Sequence, residues 1–305
     1  MEPVIRAQGL VKRYGGLTAV DGIDFAIYPG ECVGFLGPNG AGKTSTLRMI
    51  SCVSPVTYGE LWVNGKSVQR EARRIKAELG VVPQGDNLDS NLSVLQNLLV
   101  HARFFNIPGK VARKRAAAVL DMFQLQDKAD SKVDELSGGM QRRLVIARAL
   151  IQEPRTLILD EPTTGLDPQA RHLVWQRIRL LKSQGITILL SSHYMEEATA
   201  LCDRLVIMDS GRMVAEGAPA ELVRRYVGAE VVEIPVGPTQ EDHERIVNTL
   251  RQRGLEPEDD GERVVVYGEN GVALPDETEY PDIVRRPANL EDVFLRLTGR
   301  GLYGE

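Results

Sequence analysis

The residues with the clearest chemical potential form a glycine-rich segment near the N-terminus. Residues 37–44 read GPNGAGKT and match the pattern G-x-x-x-x-G-K-[ST], which cradles phosphate groups. Glycine lets the backbone approach phosphate oxygens, and amides at the start of the following helix attract anions. Lys43 would place a cation on the β- and γ-phosphates, and Thr44 would offer a hydroxyl to Mg²⁺. The nucleotide-contacting residues predicted here are Gly37, Pro38, Asn39, Gly40, Ala41, Gly42, Lys43, Thr44 and Ser45.

Two adjacent carboxylates follow an apolar segment further along the chain. Residues 157–161 read LILDE, which is typical of a buried strand that ends in two acids. Asp160 would hold Mg²⁺, directly or through water, and Glu161 is placed to polarise an attacking water. Two solvated acids at a strand end are common. The pair indicates a catalytic site only because the phosphate-binding segment lies upstream.

The elements around these residues indicate alternating strands and helices. Residues 31–36 form an apolar run that ends in glycines, and residues 42–50 then favour a helix. Residues 157–159 and 186–190 are two further buried strands, with a helix over residues 168–183 between them. This alternation predicts a largely parallel sheet with helices packed against it.

The remaining segments predict a β-rich start, a helical middle and a separate C-terminal part. Residues 4–7 are a strand candidate, and Asp21–Gly22 has the composition of a turn between strands. Residues 90–150 are mainly helical, with one helix over 91–105 and another over 111–123. Beyond Gly228 the elements become short.

We expect that C-terminal part to be a small α+β domain covering residues 229–305. Residues 231–234 and 263–267 are strand candidates, and residues 240–253 between them favour a helix. A last helix over 290–297 would begin after Asn289, which is a good N-cap.

Composition and charge exclude several classes of protein. The chain is 43% hydrophobic and 26% charged, as in soluble globular proteins. The formal net charge of −5 and the lack of a strongly basic stretch argue against nucleic acid as a partner. No run of about 18 apolar residues is present to span a membrane. A membrane role would therefore have to act through a partner.

One further motif identifies a family. Residues 136–141 read LSGGMQ and match the signature motif of the ABC (ATP-binding cassette) ATPases, which this chain resembles. In that family the segment binds the ATP held by the opposite subunit, which implies ATP contacts for Ser137, Gly138, Gly139 and Gln141. Ser137 is also a good N-cap for an ordinary helix, and both interpretations use the same geometry.

Other family positions follow in the family's order. Tyr14 resembles the aromatic residue that stacks on adenine, and Gln84 in VVPQ matches the glutamine that meets Mg²⁺ and senses the membrane partner. Asp167 in GLDP matches the residue across the dimer interface, and His193 in SSHYMEEA matches the histidine that touches the γ-phosphate. Each residue alone would be an ordinary structural side chain, and only the ordered set indicates the family.

The resemblance implies a fold and a mechanism. The fold is α/β: a P-loop NTPase cassette over residues 1–228, with a mixed-sheet core and a helical subdomain at about residues 86–150. Two copies would form a head-to-tail dimer around two ATP molecules, with Mg²⁺ held near Thr44, Gln84 and Asp160. The implied catalytic residues are Lys43, Gln84, Glu161 and His193.

The end of the chain narrows the resemblance further. Residues 288–299, ANLEDVFLRLTG, resemble the tail of ATPases that serve ABC-2 type exporters, including drug-resistance and nodulation-type ATPases. This implies an integral permease partner, a peripheral location on the cytoplasmic face of the inner membrane, and a lipo-oligosaccharide, drug-like or other amphipathic cargo. A soluble ABC ATPase uncoupled from transport and an importer ATPase remain alternatives.

Overall fold

The computed structural model describes residues 1–237, 239–259, 261–268, 274–276 and 278–299. The chain divides into two compact units, Met1–Glu216 and Gly217–Glu305. This division assigns the helix Pro219–Tyr226 to the second unit, whereas the boundary predicted from the sequence follows that helix. None of the helices formed by the described residues has the length and apolar character needed to span a bilayer.

Two sheets organise the first unit, all of whose residues are described. A six-stranded sheet has the order β10-β9-β3-β8-β7-β6, and its five strands from β9 to β6 are parallel. A four-stranded antiparallel sheet has the order β2-β1-β4-β5. The strands are β1 (Ile5–Tyr14), β2 (Leu17–Ile27), β3 (Cys32–Leu36), β4 (Tyr58–Val63), β5 (Lys66–Ser67), β6 (Leu79–Val82), β7 (Thr156–Asp160), β8 (Thr187–Ser192), β9 (Arg204–Asp209) and β10 (Arg212–Gly217).

Helices complete the first unit. Three of them, α3, α4 and α5, pack on one another, and all three lie within residues 86–150. The predicted helix over residues 168–183 is confirmed as α6. The helices are α1 (Lys43–Ile50), α2 (Val68–Glu78), α3 (Val94–Phe104), α4 (Gly109–Met122), α5 (Gly138–Leu150), α6 (Pro168–Ser183) and α7 (Met195–Leu201).

The central strands place their carboxyl ends side by side. Every residue of β3, β7 and β8 is buried, because apolar side chains cover both faces of the parallel sheet. Leu36 pairs with Ser192, and Asp160 pairs with Ser191. The loops that follow β3, β7 and β8 therefore leave the sheet at one edge, where ligands bind in open α/β sheets.

The predicted turn at Asp21–Gly22 is wrong. Both residues lie inside β2, and β1 turns into β2 at residues 15–16 instead. Gly22 has a φ of +68°, and the β1–β2 register shifts between the pairs Leu10–Ile23 and Lys12–Val20. The glycine thus allows a bulge in a continuous strand, because long-range pairing with β1 outweighs the local turn preference.

The second unit combines an antiparallel sheet with helices. Among its described residues the sheet has the order β12-β13-β11-β14. Its hydrophobic core contains Val232 and Val264 from the sheet and Leu250 from helix α9. Asn289 caps α10 as predicted, in a capping box with Asp292. The elements are α8 (Pro219–Tyr226), β11 (Glu230–Pro235), α9 (Gln240–Gln252), β12 (Glu258–Asp259), β13 (Arg263–Tyr267), β14 (Val284–Pro287) and α10 (Leu290–Thr298).

Candidate functional site

The phosphate-binding segment joins β3 to α1, as the sequence predicts. A Cβ on Gly37 would lie 2.2 Å from the carbonyl oxygen of Met208, and one on Gly42 would lie 2.4 Å from that of Ala19. Gly42 also has a φ of +102°, a conformation that other residues rarely adopt. Close packing and backbone conformation therefore both require glycine here, and they fix the loop ahead of the helix N-terminus.

Lys43 is held inside this loop. Its Nζ donates hydrogen bonds to the carbonyl oxygens of Gly37 (2.6 Å) and Pro38 (2.9 Å). Burial lowers the pKa of the ammonium, and the carboxylates of Glu161 and Asp160 partly offset that effect. The loop thus keeps a buried cation at the mouth of a cavity, where a phosphate oxygen is its natural partner.

A cavity of about 490 Å³ opens beside the loop, within the usual range for small-molecule sites. Tyr14 forms part of its wall, with 43% of the residue exposed. Such a half-exposed ring next to a phosphate loop can stack on a base. The cavity is lined by Tyr14, Leu17, Thr18, Ala19, Asn39, Gly40, Ala41, Gly42, Lys43, Thr44, Ser45, Gln84 and Glu161.

A chain of hydrogen bonds links α1 to the end of β7. Thr44 Oγ1 donates to Asp160 Oδ1 at 3.0 Å, and Ser191 Oγ donates to the same oxygen at 2.6 Å. Asp160 is 7% exposed. A hydroxyl and a carboxylate oxygen this close together are ligands of the kind that Mg²⁺ prefers. The residues present therefore fit a magnesium ion between Thr44 and Asp160.

Glu161 is positioned by several neighbours. Its Oε2 accepts hydrogen bonds from Gln84 Nε2 (3.1 Å) and Thr164 Oγ1 (3.2 Å). Its Oε1 lies 3.4 Å from His193 Nδ1. The backbone at Glu161 has a φ of +48°, which costs a non-glycine residue about 1 kcal/mol or more. Backbone strain and three side-chain contacts thus converge on one carboxylate.

His193 retains an unused polar atom. Within the described residues, its buried Nδ1 has no hydrogen-bond partner, because the contact with Glu161 is too long for a good hydrogen bond. A buried donor or acceptor without a partner is rare and points to a missing ligand or water. A phosphate oxygen beside Glu161, which lines the cavity, would be such a partner, although His193 itself is not among the lining residues.

The signature residues occupy a different surface. Ser137 caps α5 as predicted, accepting a hydrogen bond from Met140 N at 3.3 Å. Gln141 Nε2 donates to the carbonyl oxygens of Val133 and Leu136. Among residues 1–216, all of which are described, the residues that line the cavity do not include Ser137, Gly138, Gly139 or Gln141.

In the single chain Asp167 likewise caps a helix, α6. Its Oδ1 accepts a hydrogen bond from Ala170 N at 2.8 Å, and Pro168 occupies the first turn of α6. The structure therefore brings together the residues of the phosphate loop, Gln84, Asp160, Glu161 and His193. It leaves the signature segment and Asp167 outside the cavity of this copy.

Sequence reasoning missed one residue that organises the site. Arg142 is 4% exposed, and its guanidinium donates to five backbone carbonyl oxygens. Two of them belong to Pro83 and Gln84 (2.7 and 3.2 Å), and two to Asp160 and Glu161 (2.8 and 2.9 Å). The fifth is Pro162 O at 2.9 Å. Arg142 directly follows the signature motif and is one of two consecutive arginines. No feature of the motif indicated this role for it.

This combination of fold and site defines a class of protein. The sequence matches the family model for "ABC transporter" over residues 20–164. The cassette MJ0796, solved as a dimer in a post-hydrolysis state with ADP and phosphate, is similar in structure, with a TM-score of 0.65 and 28% identity. That match covers 70% of this chain and 98% of the cassette. The chain belongs to the ABC transporter ATP-binding family, whose members are ATPases coupled to transport.

Similarity to one group within this family extends over the second unit as well. Residues 241–299 match the model "Nodulation factor export protein NodI, C-terminal domain". A protein of Ralstonia nicotianae named Nod factor export ATP-binding protein I is 46% identical, with 98% of this chain and 94% of that protein aligned. The protein of the same name from Burkholderia pseudomallei is 48% identical, with 96% of each aligned. The resemblance to nodulation-type ATPases predicted from the sequence is thereby confirmed.

Proposed function

We propose that this chain is the ATP-hydrolysing subunit of an ABC-2 type exporter whose cargo is amphipathic, such as a lipo-oligosaccharide. The observation that carries the proposal is that similarity to the Nod factor export proteins extends through the cassette and the C-terminal unit alike. The cassette alone would fit an importer or an uncoupled ATPase equally well. The C-terminal match favours export.

The roles within the site follow from its geometry. Glu161 accepts the proton of the attacking water, because it is a buried carboxylate oriented by Gln84 and Thr164. Lys43 exchanges its carbonyl partners for phosphate oxygens. His193 contacts the γ-phosphate, and its Nδ1 has no hydrogen-bond partner among the described residues. Thr44, Asp160 and Gln84 would hold Mg²⁺, which would supply positive charge beside the phosphates.

Two copies of the chain complete each site. The cavity of one copy would contact only one side of an ATP molecule. An exposed helix N-terminus that suits an anion is formed by Ser137 and the amides of Gly138 and Gly139. A head-to-tail dimer would place that segment, and Asp167 beside it, on the nucleotide of the partner. The dimeric form of the similar cassette MJ0796 supports this arrangement. Loss of the γ-phosphate then weakens the dimer, which gives a switch driven by differential binding.

Location and partner can be tested together. We place the chain at the cytoplasmic face of the inner membrane, held by an integral permease. Tagged protein would be purified from gently solubilised native membranes, and its partners identified by mass spectrometry. Recovery of a polytopic membrane protein of the ABC-2 type is expected. Reproducible recovery of ribosomes or repair proteins instead, with no membrane subunit, would contradict the transport assignment.

A further inference from the structure

The helices α3 and α4 form a hairpin that carries several exposed cations, although the chain has a formal net charge of −5. Residues 90–120 contain five Lys or Arg residues and no Asp or Glu. Arg115 pairs with Glu153, whereas the other four are exposed and have no ion-pair partner among the described residues. These four are Arg103, Lys110, Arg113 and Lys114. The net charge of the whole chain conceals this cluster, although four of the five cations lie within the six residues 110–115.

Exposed apolar side chains accompany these cations. Phe104, the last residue of α3, is 79% exposed, and Val111 in the first turn of α4 is 40% exposed. The short link between the helices is fixed by backbone hydrogen bonds from Asn106 N to Arg103 O and from Ile107 N to Ala102 O. We call the surface formed by these residues the hairpin patch: Arg103, Phe104, Lys110, Val111, Arg113 and Lys114.

The start of α4 is electrostatically unfavourable by itself. Its first turn contains Lys110 and no acidic residue, and Arg113 and Lys114 follow at once. Cations at a helix N-terminus oppose the positive end of the helix dipole. A negatively charged surface placed against this end would relieve the repulsion among the three cations and with the dipole.

A groove adjoins the same helix. It has a volume of about 760 Å³, and its lining includes Lys110, Val111 and Lys114. Much of the remaining lining is apolar and includes Val119, Leu181 and Ile186. Cations beside apolar surface suit a partner with a negative head and an apolar body, and nucleic acid does not provide the second of these.

We propose that the hairpin patch binds the surface of an anionic phospholipid bilayer. The four cations would contact lipid headgroups, and Phe104 would enter the boundary between headgroups and acyl chains. The long, unpaired side chains match a diffuse negative surface rather than one fixed carboxylate. This contact goes beyond the proposed function, because it gives the ATPase an affinity for lipid that does not depend on the permease.

Vesicle co-sedimentation of the full-length chain tests this directly. Binding to vesicles of phosphatidylglycerol mixed with phosphatidylcholine would be compared with binding to phosphatidylcholine alone. We expect binding to the anionic vesicles only, and a decrease as salt screens the charges. Replacing Lys110, Arg113 and Lys114 by Gln should lower the partition constant about 100-fold, since each cation near such a surface contributes about fivefold. Phe104→Ser should lower it about tenfold.

A control variant with the same change in net charge distinguishes the effect of the hairpin patch from a general effect of charge. Arg70→Gln, Arg73→Gln and Lys76→Gln on α2 remove the same number of exposed cations from the first unit and should leave vesicle binding unchanged. Far-ultraviolet circular dichroism would establish that all variants are folded. Equal loss in the α2 variant, or an absence of binding by the wild type, would overturn the proposal. The vesicles contain no permease, so these results leave the exporter assignment untouched.

Discussion

Gln84 Nε2 donates a hydrogen bond of 3.1 Å to Oε2 of Glu161. This contact joins the segment after β6 to the end of β7, two strands that are neighbours in the parallel sheet. Thr164 occupies the same carboxylate oxygen, whereas Oε1 faces His193. We therefore expect Oε1 to accept the proton of the attacking water. A movement of Gln84 would alter the position of the base directly.

Replacing Glu161 by Gln tests its role as the base. Glutamine keeps the size of the side chain and an oxygen for Gln84, but an amide cannot accept the proton. We expect kcat for ATP hydrolysis to fall by about 100-fold or more, with ATP affinity retained. Phosphate release would report turnover, and size-exclusion chromatography with ATP and Mg²⁺ should detect a trapped dimer.

The control for this substitution is Glu60→Gln. Glu60 is exposed on β4, and its replacement should leave both turnover and dimerisation unchanged. Rapid hydrolysis by the Glu161→Gln protein would exclude Glu161 as the base and leave the role open to another carboxylate.

Replacing Arg142 by Lys tests the organisation of the backbone. An ammonium group cannot reach the five carbonyl oxygens that the guanidinium bridges, so several buried acceptors lose their donors. We expect the free energy of unfolding to fall by about 2–4 kcal/mol, and Tm to fall by about 5–10 °C.

The same variant distinguishes positioning from stability. At a temperature where it remains folded, kcat should fall while KM for ATP changes little, because Gln84 and Glu161 lose their shared anchor. Arg179→Lys on the exposed side of α6 provides the control and should change none of these values. A variant with a lowered Tm and normal kcat would limit Arg142 to a structural role.

Residues whose role depends on local chain geometry were predictable from the sequence. The glycines of residues 37–42 and Lys43 act within one turn between β3 and α1, so a short pattern contains the whole constraint. Ser137 and Asn289 cap the helices that directly follow them, and these predictions are confirmed for the same reason.

Residues whose role depends on pairing between distant segments could not be predicted from the sequence. Arg142 acquires its partners only when β6 and β7 meet beside α5, and no local pattern encodes that meeting. Ser191 supports Asp160 across neighbouring strands, and it lies just beyond the predicted strand 186–190, in a motif that had pointed only to His193. At Asp21–Gly22 the local sequence favours a turn, but long-range pairing with β1 determines the structure. In each case long-range packing decides what a residue does.

Replacing Asp292 by Ala tests the C-terminal unit. Asp292 is 1% exposed, accepts a hydrogen bond of 2.8 Å from Asn289 N, and receives two more from Arg286 (2.7 and 2.8 Å). Loss of the cap and of the ion pair should destabilise this unit by about 2 kcal/mol or more. Hydrogen exchange of α10 should accelerate accordingly. The neighbouring exposed Glu291→Ala is the control, and equal acceleration in both would contradict the assigned role.

Replacing Glu197 by Gln should give a pH-dependent gain in stability. Burial raises the pKa of the Glu197 carboxyl, although Thr163 Oγ1 (2.7 Å) and Trp175 Nε1 (3.0 Å) donate to it. Above the pKa of an unfolded glutamate, about 4.3, the unfolded chain releases this proton while the folded chain retains it. Rising pH therefore favours unfolding until the folded pKa is passed, by up to about 1.4 kcal/mol per pH unit. The difference in Tm between Glu197→Gln and the wild type should grow from about pH 5 upward. The exposed neighbour Glu196→Gln should show no such trend, and a constant difference across pH for Glu197→Gln would contradict the raised pKa.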